Sequence, residues 1–208
     1  MRIECIERSK HKQERVLVHL EGGDLLRITE SELLHFGLYV GLDIGPETVV
    51  KLHKCGARSE TRVRAANMVS ARPLSKRELA RRLVQKGAAA DDADAAVEYL
   101  ENIGALDDAA FAAMLVRHYS AQGFGTARLR DELYRRGVPR ELWDAALAET
   151  PDVQETLARV IASKTKGKPL NEKDTKRLAD TLLRRGFSWS EVRSALRSAG
   201  AGLEDAND

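Results

Sequence analysis

The chain has 208 residues, of which 43% are hydrophobic, 32% are charged and 5% are aromatic, and its formal net charge is +2. This composition is typical of a folded chain with much charged surface, and it argues against a disordered protein. No stretch approaches the roughly 18 consecutive apolar residues of a membrane span, and the chain begins without the apolar run of a signal peptide. We therefore expect a cytoplasmic protein without a membrane partner.

The first 57 residues predict a small β-containing module. Short alternating or β-branched runs favour strands at residues 2–6, 16–20 and 49–52, and Pro46 opens the last of them. Glu21-Gly22-Gly23-Asp24 predicts a turn. Thr29 or Ser31 can cap a short helix that runs to Phe36.

From about residue 60 the helix-forming residues Ala, Leu, Arg and Glu dominate, and three segments align without gaps around Gly87, Gly137 and Gly186. Leucines stand eight and four residues before each glycine, which places them on one stripe of a helix. Each glycine then ends that helix at its C′ position, and a second amphipathic helix follows. Leading helices are expected at residues 61–71, 107–121 and 153–166.

These patterns predict a mainly α fold of tandem three-helix repeats. The expected parts are the module (1–57), three repeats (58–105, 106–150 and 151–200) and an acidic, frayed tail (201–208). Because a short helical repeat cannot bury its apolar face alone, we expect the repeats to stack into an elongated, curved array.

The sequence contains no recognisable catalytic constellation: it lacks a phosphate-binding loop, an HExxH, a CxxC pair and a GxSxG. Asp91, Asp92 and Asp94 stand where a helix start favours carboxylates as capping and first-turn residues, which explains them without a metal. Cys5 and Cys55 lack the short spacing of a zinc or redox pair and are typical of buried thiols. We expect no enzyme, no metal and no cofactor.

Two blocks of the sequence stand out as family signatures. The first is Arg72-Pro73-Leu74-Ser75-Lys76-Arg77-Glu78-Leu79, followed by Leu83 and Lys86-Gly87. The second comprises Leu106-Asp107-Asp108, Phe111-Ala112, Gly123, Gly125, Leu129, Glu132-Leu133 and Arg136-Gly137-Val138. Both blocks resemble the signatures of the RecX family of bacterial RecA regulators. The third repeat is similar more loosely, and residues 36–41 resemble an extension found in part of the family. The chain departs from the family at Ala109-Ala110, where a charged pair is usual.

The resemblance implies a regulatory protein that binds the RecA filament on DNA and modulates, mostly by inhibition, its ATPase, strand-exchange and coprotease activities. The implied partners are the RecA filament and, weakly and without sequence specificity, single- and double-stranded DNA. We expect a monomer. The alternative is a helical-repeat DNA-binding protein without action on RecA, which would bind naked DNA tightly and with a steep dependence on salt.

Basic residues crowd the repeats and are the candidates for contacts with the filament or with phosphates, although a solvated helix face is the competing interpretation. The candidates are Lys76, Arg77, Arg81, Arg117, Arg128, Arg130, Arg135, Arg136, Lys164, Lys166, Lys168, Arg184 and Arg185. In each pair Arg135-Arg136 and Arg184-Arg185, we expect one residue to cap a helix and the other to face the partner. Trp143 and Trp189 begin third helices, where we expect packing between helices.

Overall fold

The computed structural model of the chain describes residues 1–10, 15–166 and 170–200. The chain divides into two compact units, the first formed by Met1–Pro73 with Glu78–Leu106 and the second by Leu74–Arg77 with Asp107–Asp208. Among the described residues, no helix combines the length and the apolar character that crossing a bilayer requires. The predicted tail at residues 201–208 lies outside the described residues.

The first unit opens with an antiparallel sheet of three strands in the order β1 (Ile3–Arg8), β2 (Arg15–Leu20) and β3 (Leu25–Thr29). Alternate side chains of β2 and β3 are buried, as expected for a sheet with one covered face. The first two strands and the turn at Gly22-Gly23 confirm the predictions. The sequence analysis missed β3, which follows the turn directly.

A short helix, α1 (Glu30–His35), follows β3 and confirms the expected cap. The Thr29 hydroxyl accepts a hydrogen bond from the Glu32 N–H, and the Glu32 carboxylate accepts one from the Thr29 N–H. This reciprocal arrangement is a capping box, which satisfies two backbone donors that a helix start otherwise leaves unpaired.

The strand expected at residues 49–52 is wrong, because these residues belong to the long helix α2 (Pro46–Ala71). Pro46 stands in the first turn, where its fixed φ and missing N–H favour a helix start. Val49, Leu52 and Gly56 are buried at helical spacing, and α2 packs on β3. A short β-branched run therefore takes the helical form, since the continuing helix buries it against the sheet.

The remaining helices form three triplets, which confirms the mainly α fold. The first is α2, α3 (Lys76–Gln85) and α4 (Ala90–Asn102); the second is α5 (Asp108–Ala121), α6 (Thr126–Arg135) and α7 (Trp143–Leu147); the third is α8 (Val153–Thr165), α9 (Glu172–Arg184) and α10 (Trp189–Ser198). The leading helices expected at 107–121 and 153–166 coincide with α5 and α8. The one expected at 61–71 is the final part of α2.

The leucine stripe forms the core of each triplet. The paired leucines of the second helices are at most 7% exposed: Leu79 and Leu83, Leu129 and Leu133, and Leu178 and Leu182. The three alignment glycines have φ values of 89°, 72° and 90°, so each helix ends in the left-handed conformation that glycine adopts without strain. Repeat periodicity and helix ends thus followed from local sequence.

The acidic start of α4 is only partly as expected. Asp91 and Asp92 lie in the first turn, but the N-cap residue is Ala89, which has no side chain able to cap. The carboxylates therefore act on the helix through its dipole rather than through a cap.

Candidate partner interface

In the second unit, the turn that precedes α6 is hydrogen-bonded to the glycine turn that follows α9. The Gly125 N–H donates to the Arg185 carbonyl over 2.9 Å, and the Ala127 N–H donates to the Gly186 carbonyl over 3.1 Å. Both donors belong to the start of α6, whose first N–H groups have no partner within the helix. The turn of the third triplet therefore provides the acceptors for the start of α6.

A similar joint connects the start of α3 with the glycine turn after α6. The Ser75 hydroxyl donates to the Arg136 carbonyl, and the Lys76 N–H donates to the Asp108 carboxylate over 2.9 Å. Ser75 and Gly125 stand at equivalent positions relative to Gly87 and Gly137, as do Arg136 and Arg185 relative to Gly137 and Gly186. The two joints therefore use the same acceptor position, although the donor is a backbone N–H at Gly125 and a side-chain hydroxyl at Ser75.

The equivalent turn of the first triplet is satisfied in another way. Its acceptor, the Lys86 carbonyl, takes a hydrogen bond of 3.0 Å from the Arg64 guanidinium of α2. A Cβ added at Gly87 would meet no described atom within 4 Å, whereas at Gly186 it would collide with the backbone of Arg128. Among the described residues, the Gly87 turn therefore has no close backbone contact of the kind that the joint of the third triplet shows.

Of the candidate basic residues, Arg185 is held in a joint. Its guanidinium donates to the carbonyls of Gln122 and Gly123 over 2.9 and 3.2 Å and lies 5.5 Å from the centre of the Phe124 ring. Arg136 contributes its carbonyl to the other joint. Their neighbours Arg135 and Arg184 are exposed.

Arg128 and Arg135 lie on either side of a buried carboxylate. Glu132, whose side chain is 7% exposed, forms ion pairs of 2.8 Å with Arg128 and 3.3 Å with Arg135. In the first unit, Glu78 is similarly placed between Arg72 and Arg82. Two of the candidate residues therefore neutralise a buried charge within their own helix.

The other candidates lie mostly in solvent. Arg117 pairs with Glu149 over 2.8 Å, both being at least half exposed. Arg77 is exposed, and its aliphatic stem lies about 3.3 Å from the Cβ position of Gly137. Lys76 is half-buried, and Arg81, Arg130, Lys164 and Lys166 are exposed. Lys168 lies outside the described residues.

The exposed face of α9 carries further cations that the candidate set omitted, namely Lys173, Lys176 and Arg177. Lys176 bonds to Glu172 over 2.7 Å, and this hydrogen bond together with the positive charge lowers the pKa of the Glu172 carboxyl. The sequence shows these three cations three and four positions apart, which places them near one another on a helix surface.

The two tryptophans differ in their surroundings. Trp143 is half-buried against the core of the second triplet and donates from its indole N–H to the Val138 carbonyl over 3.0 Å, as expected for packing. Trp189 is 51% exposed, so the packing expected for it is wrong. The sequence analysis also did not single out Tyr134, which is 63% exposed.

Within the described residues, no group of His, Cys, Asp and Glu side chains could hold a metal ion. Cys5 and Cys55 are free, and neither is buried as expected: Cys5 is exposed and Cys55 is half-buried.

Comparison with known proteins gives matches in sequence and in fold. A model of the first three-helix domain of RecX matches residues 62–100, and a model of the second matches residues 107–147. The chain is 30% identical over 196 residues to the regulatory protein RecX of Geobacillus kaustophilus, covering 91% of this chain and 73% of that protein. It is 35% identical over 136 residues to that of Xanthomonas oryzae pv. oryzae (strain MAFF 311018), covering 64% and 85%.

Two crystal structures share the fold. A regulatory protein RecX superposes with a TM-score of 0.72 at 20% identity, over 95% of this chain and 98% of that one. RecX from Lactobacillus salivarius gives 0.60 at 18% identity, over 69% and 97%. With the two matching domain models and relatives of 30% identity or more over most of their length, this chain belongs to the RecX family of regulatory proteins.

Proposed function

We propose that this chain binds the RecA filament on DNA and restrains its ATPase, strand-exchange and coprotease activities, without catalysing a reaction itself. The observation that supports this most is membership of the RecX family over nearly the whole chain. We also propose that the protein acts in the cytoplasm as a monomer. Its proposed domains are a module (1–57), three repeats (58–105, 106–150 and 151–200) and a tail.

The exposed cations of α6 and α9 support a contact with a partner that carries phosphates. Arg130 and Arg184 are exposed, and among the described residues neither guanidinium is bonded to a buried carboxylate in the way that Arg128 and Arg135 are. Guanidinium groups on a helix surface neutralise phosphates and give affinity without reading the base sequence. We therefore place the basic contact on Arg130 and Arg184 rather than on Arg185, whose guanidinium is bonded within a joint.

The test is the ATPase rate of RecA on single-stranded DNA with this protein added at substoichiometric amounts. We expect the rate to fall, because a protein bound along a filament affects more than one subunit. An unrelated single-strand-binding protein at the same concentration controls for simple competition for DNA. An unchanged rate together with tight binding of naked DNA would contradict the proposal and favour the DNA-binding alternative.

A further inference from the structure

A small cavity lies in the second unit, where the second and third triplets meet. Its volume is about 10 Å³. The last turn of α5, the first turns of α6 and α8 and the glycine turn after α9 all border it. Its polar walls are four side chains with hydroxyl groups, namely Ser120, Thr126, Thr150 and Thr156. Gly125 lines it as well, so the cavity adjoins the joint in which the Gly125 N–H donates to the Arg185 carbonyl.

The Ser120 hydroxyl lines this cavity without a hydrogen bond to any described residue. Ser120 is only 4% exposed. A serine within a helix often donates to the carbonyl four residues earlier, here that of Val116, but this bond is not formed. Because a hydroxyl group without a hydrogen bond is costly inside a protein, the Ser120 hydroxyl requires a partner that the described residues do not supply.

The other hydroxyl groups of the cavity have hydrogen-bonding capacity to spare. The Thr150 hydroxyl donates to the Leu147 carbonyl over 2.8 Å and keeps its lone pairs for a donor. Thr126 starts α6, and Thr156, which is 5% exposed, lies in the first turn of α8. Neither of their hydroxyls bonds to another described residue. Hydroxyl groups of three helices therefore line one small space.

The size and the chemistry of this space both specify water. A volume of about 10 Å³ holds one water molecule and excludes phosphate, nucleotides and other larger ligands. The described residues that line the cavity are all uncharged, so none compensates the charge of an ion. Apolar cavities stay empty, whereas a cavity with several polar groups binds a water molecule through about three hydrogen bonds.

We propose that this cavity binds one ordered water molecule, which bridges the hydroxyl of Ser120 to those of Thr126 and Thr156. The water connects α5 with α6 and α8 and so helps to hold the third triplet on the second. It lies beside the joint that fixes the glycine turn directly after Arg184. The inference goes beyond the proposed function, because it concerns how the second unit is held together whatever the partner is.

Replacing Ser120 by Ala tests the bridge through the sign of the stability change. Ser70→Ala is the matched control, because Ser70 is exposed and is the second-last residue of α2, as Ser120 is of α5. Both exchanges gain helix propensity equally, so their difference isolates the buried hydroxyl. Urea unfolding of the two full-length variants, followed by circular dichroism, measures that difference.

If water bonds to Ser120, the Ser120→Ala variant should have an unfolding equilibrium constant about fivefold larger than that of Ser70→Ala, because one buried hydrogen bond is worth about that factor. A hydroxyl without any partner predicts the reverse, since removing an unsatisfied buried group stabilises a protein. A Ser120→Ala variant that is as stable as Ser70→Ala, or more stable, would therefore overturn the inference.

Thr156→Val tests whether two hydroxyls share the same water, because valine removes the hydroxyl at nearly constant shape. Ser120 and Thr156 form no hydrogen bond with each other, so a coupling between their hydroxyls has to pass through the water. We expect the double variant Ser120→Ala with Thr156→Val to lose less stability than the sum of the two single losses. Strictly additive losses would contradict a shared water.

A high-resolution crystal structure of the full chain tests the site directly. We expect a peak of electron density within about 3.2 Å of the Ser120 Oγ and of the Oγ1 of Thr126 or Thr156. The Ser120→Ala variant should lose this peak or show it displaced, whereas the Ser70→Ala variant should retain it. A site without density in the wild type would overturn the inference, whatever the stability of the variants.

Discussion

Arginine side chains have different structural roles at neighbouring positions of this chain. Arg185 bonds two carbonyls of the preceding triplet, whereas Arg184 is exposed and bonds only weakly to the Thr181 hydroxyl at 3.4 Å. Arg128 and Arg135 neutralise Glu132. A substitution at a basic residue therefore tests partner binding only where the residue has no such structural partner.

Replacing Glu132 by Gln should lower the free energy of unfolding by about 1–2 kcal/mol, because hydrogen bonds to charged groups are lost at a buried position. Glu149→Gln is the control. Its ion pair with Arg117 is exposed on both sides, so we expect a decrease of about 0.5 kcal/mol or less. Urea unfolding followed by tryptophan fluorescence measures both, since both tryptophans lie in the second unit. Equal decreases in the free energy of unfolding for the two variants would show that the ion pairs of Glu132 stabilise the fold no more than an exposed ion pair does.

Gly186→Ala should destabilise the protein more than Gly87→Ala. Both glycines have φ near 90°, so each alanine introduces backbone strain of about 1–2 kcal/mol. Only at Gly186 would the new Cβ also collide with the Arg128 backbone, and such overpacking costs about 1–3 kcal/mol more. Circular dichroism during urea unfolding compares the two variants. Similar urea midpoints for the two variants would mean that the joint accommodates the added Cβ without a loss of stability.

At the scale of elements, helix ends are set by local sequence, and helix packing is not. Ser188 caps α10 in a capping box with Glu191, and Asp107 caps α5 through two backbone N–H groups. These ends were readable because a cap needs only residues within one turn. The joints at Arg136 and Arg185 connect residues far apart in sequence, so no local sequence pattern predicts them.

Ser188→Ala should lower the free energy of unfolding by about 1 kcal/mol, because the start of α10 loses its side-chain acceptor. The control is Ser194→Ala, an exposed position within the same helix, for which we expect a change within about 0.5 kcal/mol. Thermal or urea unfolding of the two variants measures this difference in stability. If the two alanine variants were equally stable, the cap would contribute nothing measurable.

At the scale of the whole molecule, a near-neutral chain is proposed to bind a polyanionic filament through a locally basic surface. The formal charge is only +2, so overall attraction is small and the distribution of charge matters more. The exposed cations of α6 and α9, in the second unit, are the residues that we propose for that surface.

Arg130→Glu combined with Arg184→Glu should weaken filament binding at least about tenfold. The logarithmic salt slope of binding should also become shallower by roughly one for each phosphate that an arginine no longer neutralises. Lys51→Glu with Lys54→Glu is the matched control, because it changes the net charge equally at exposed positions of α2 in the first unit. Titration of fluorescent RecA filaments at several salt concentrations gives both quantities. Equal effects of the two double variants would indicate a response to net charge alone.

The sequence by itself determined the helix triplets, their glycine ends and the buried leucines, because all three depend on propensity and on spacing within about one helix. It also carried the family resemblance. Residues 49–52 show its limit: their β-branched character favoured a strand, and only packing of α2 on β3 made them helical. Tertiary structure alone decided that the Arg185 guanidinium is used in a joint and which rings stay exposed, whereas the ion pairs of Glu132 join residues three and four positions apart within α6. These outcomes depend on contacts between residues distant in sequence, such as Arg185 with Gln122, which no local pattern encodes.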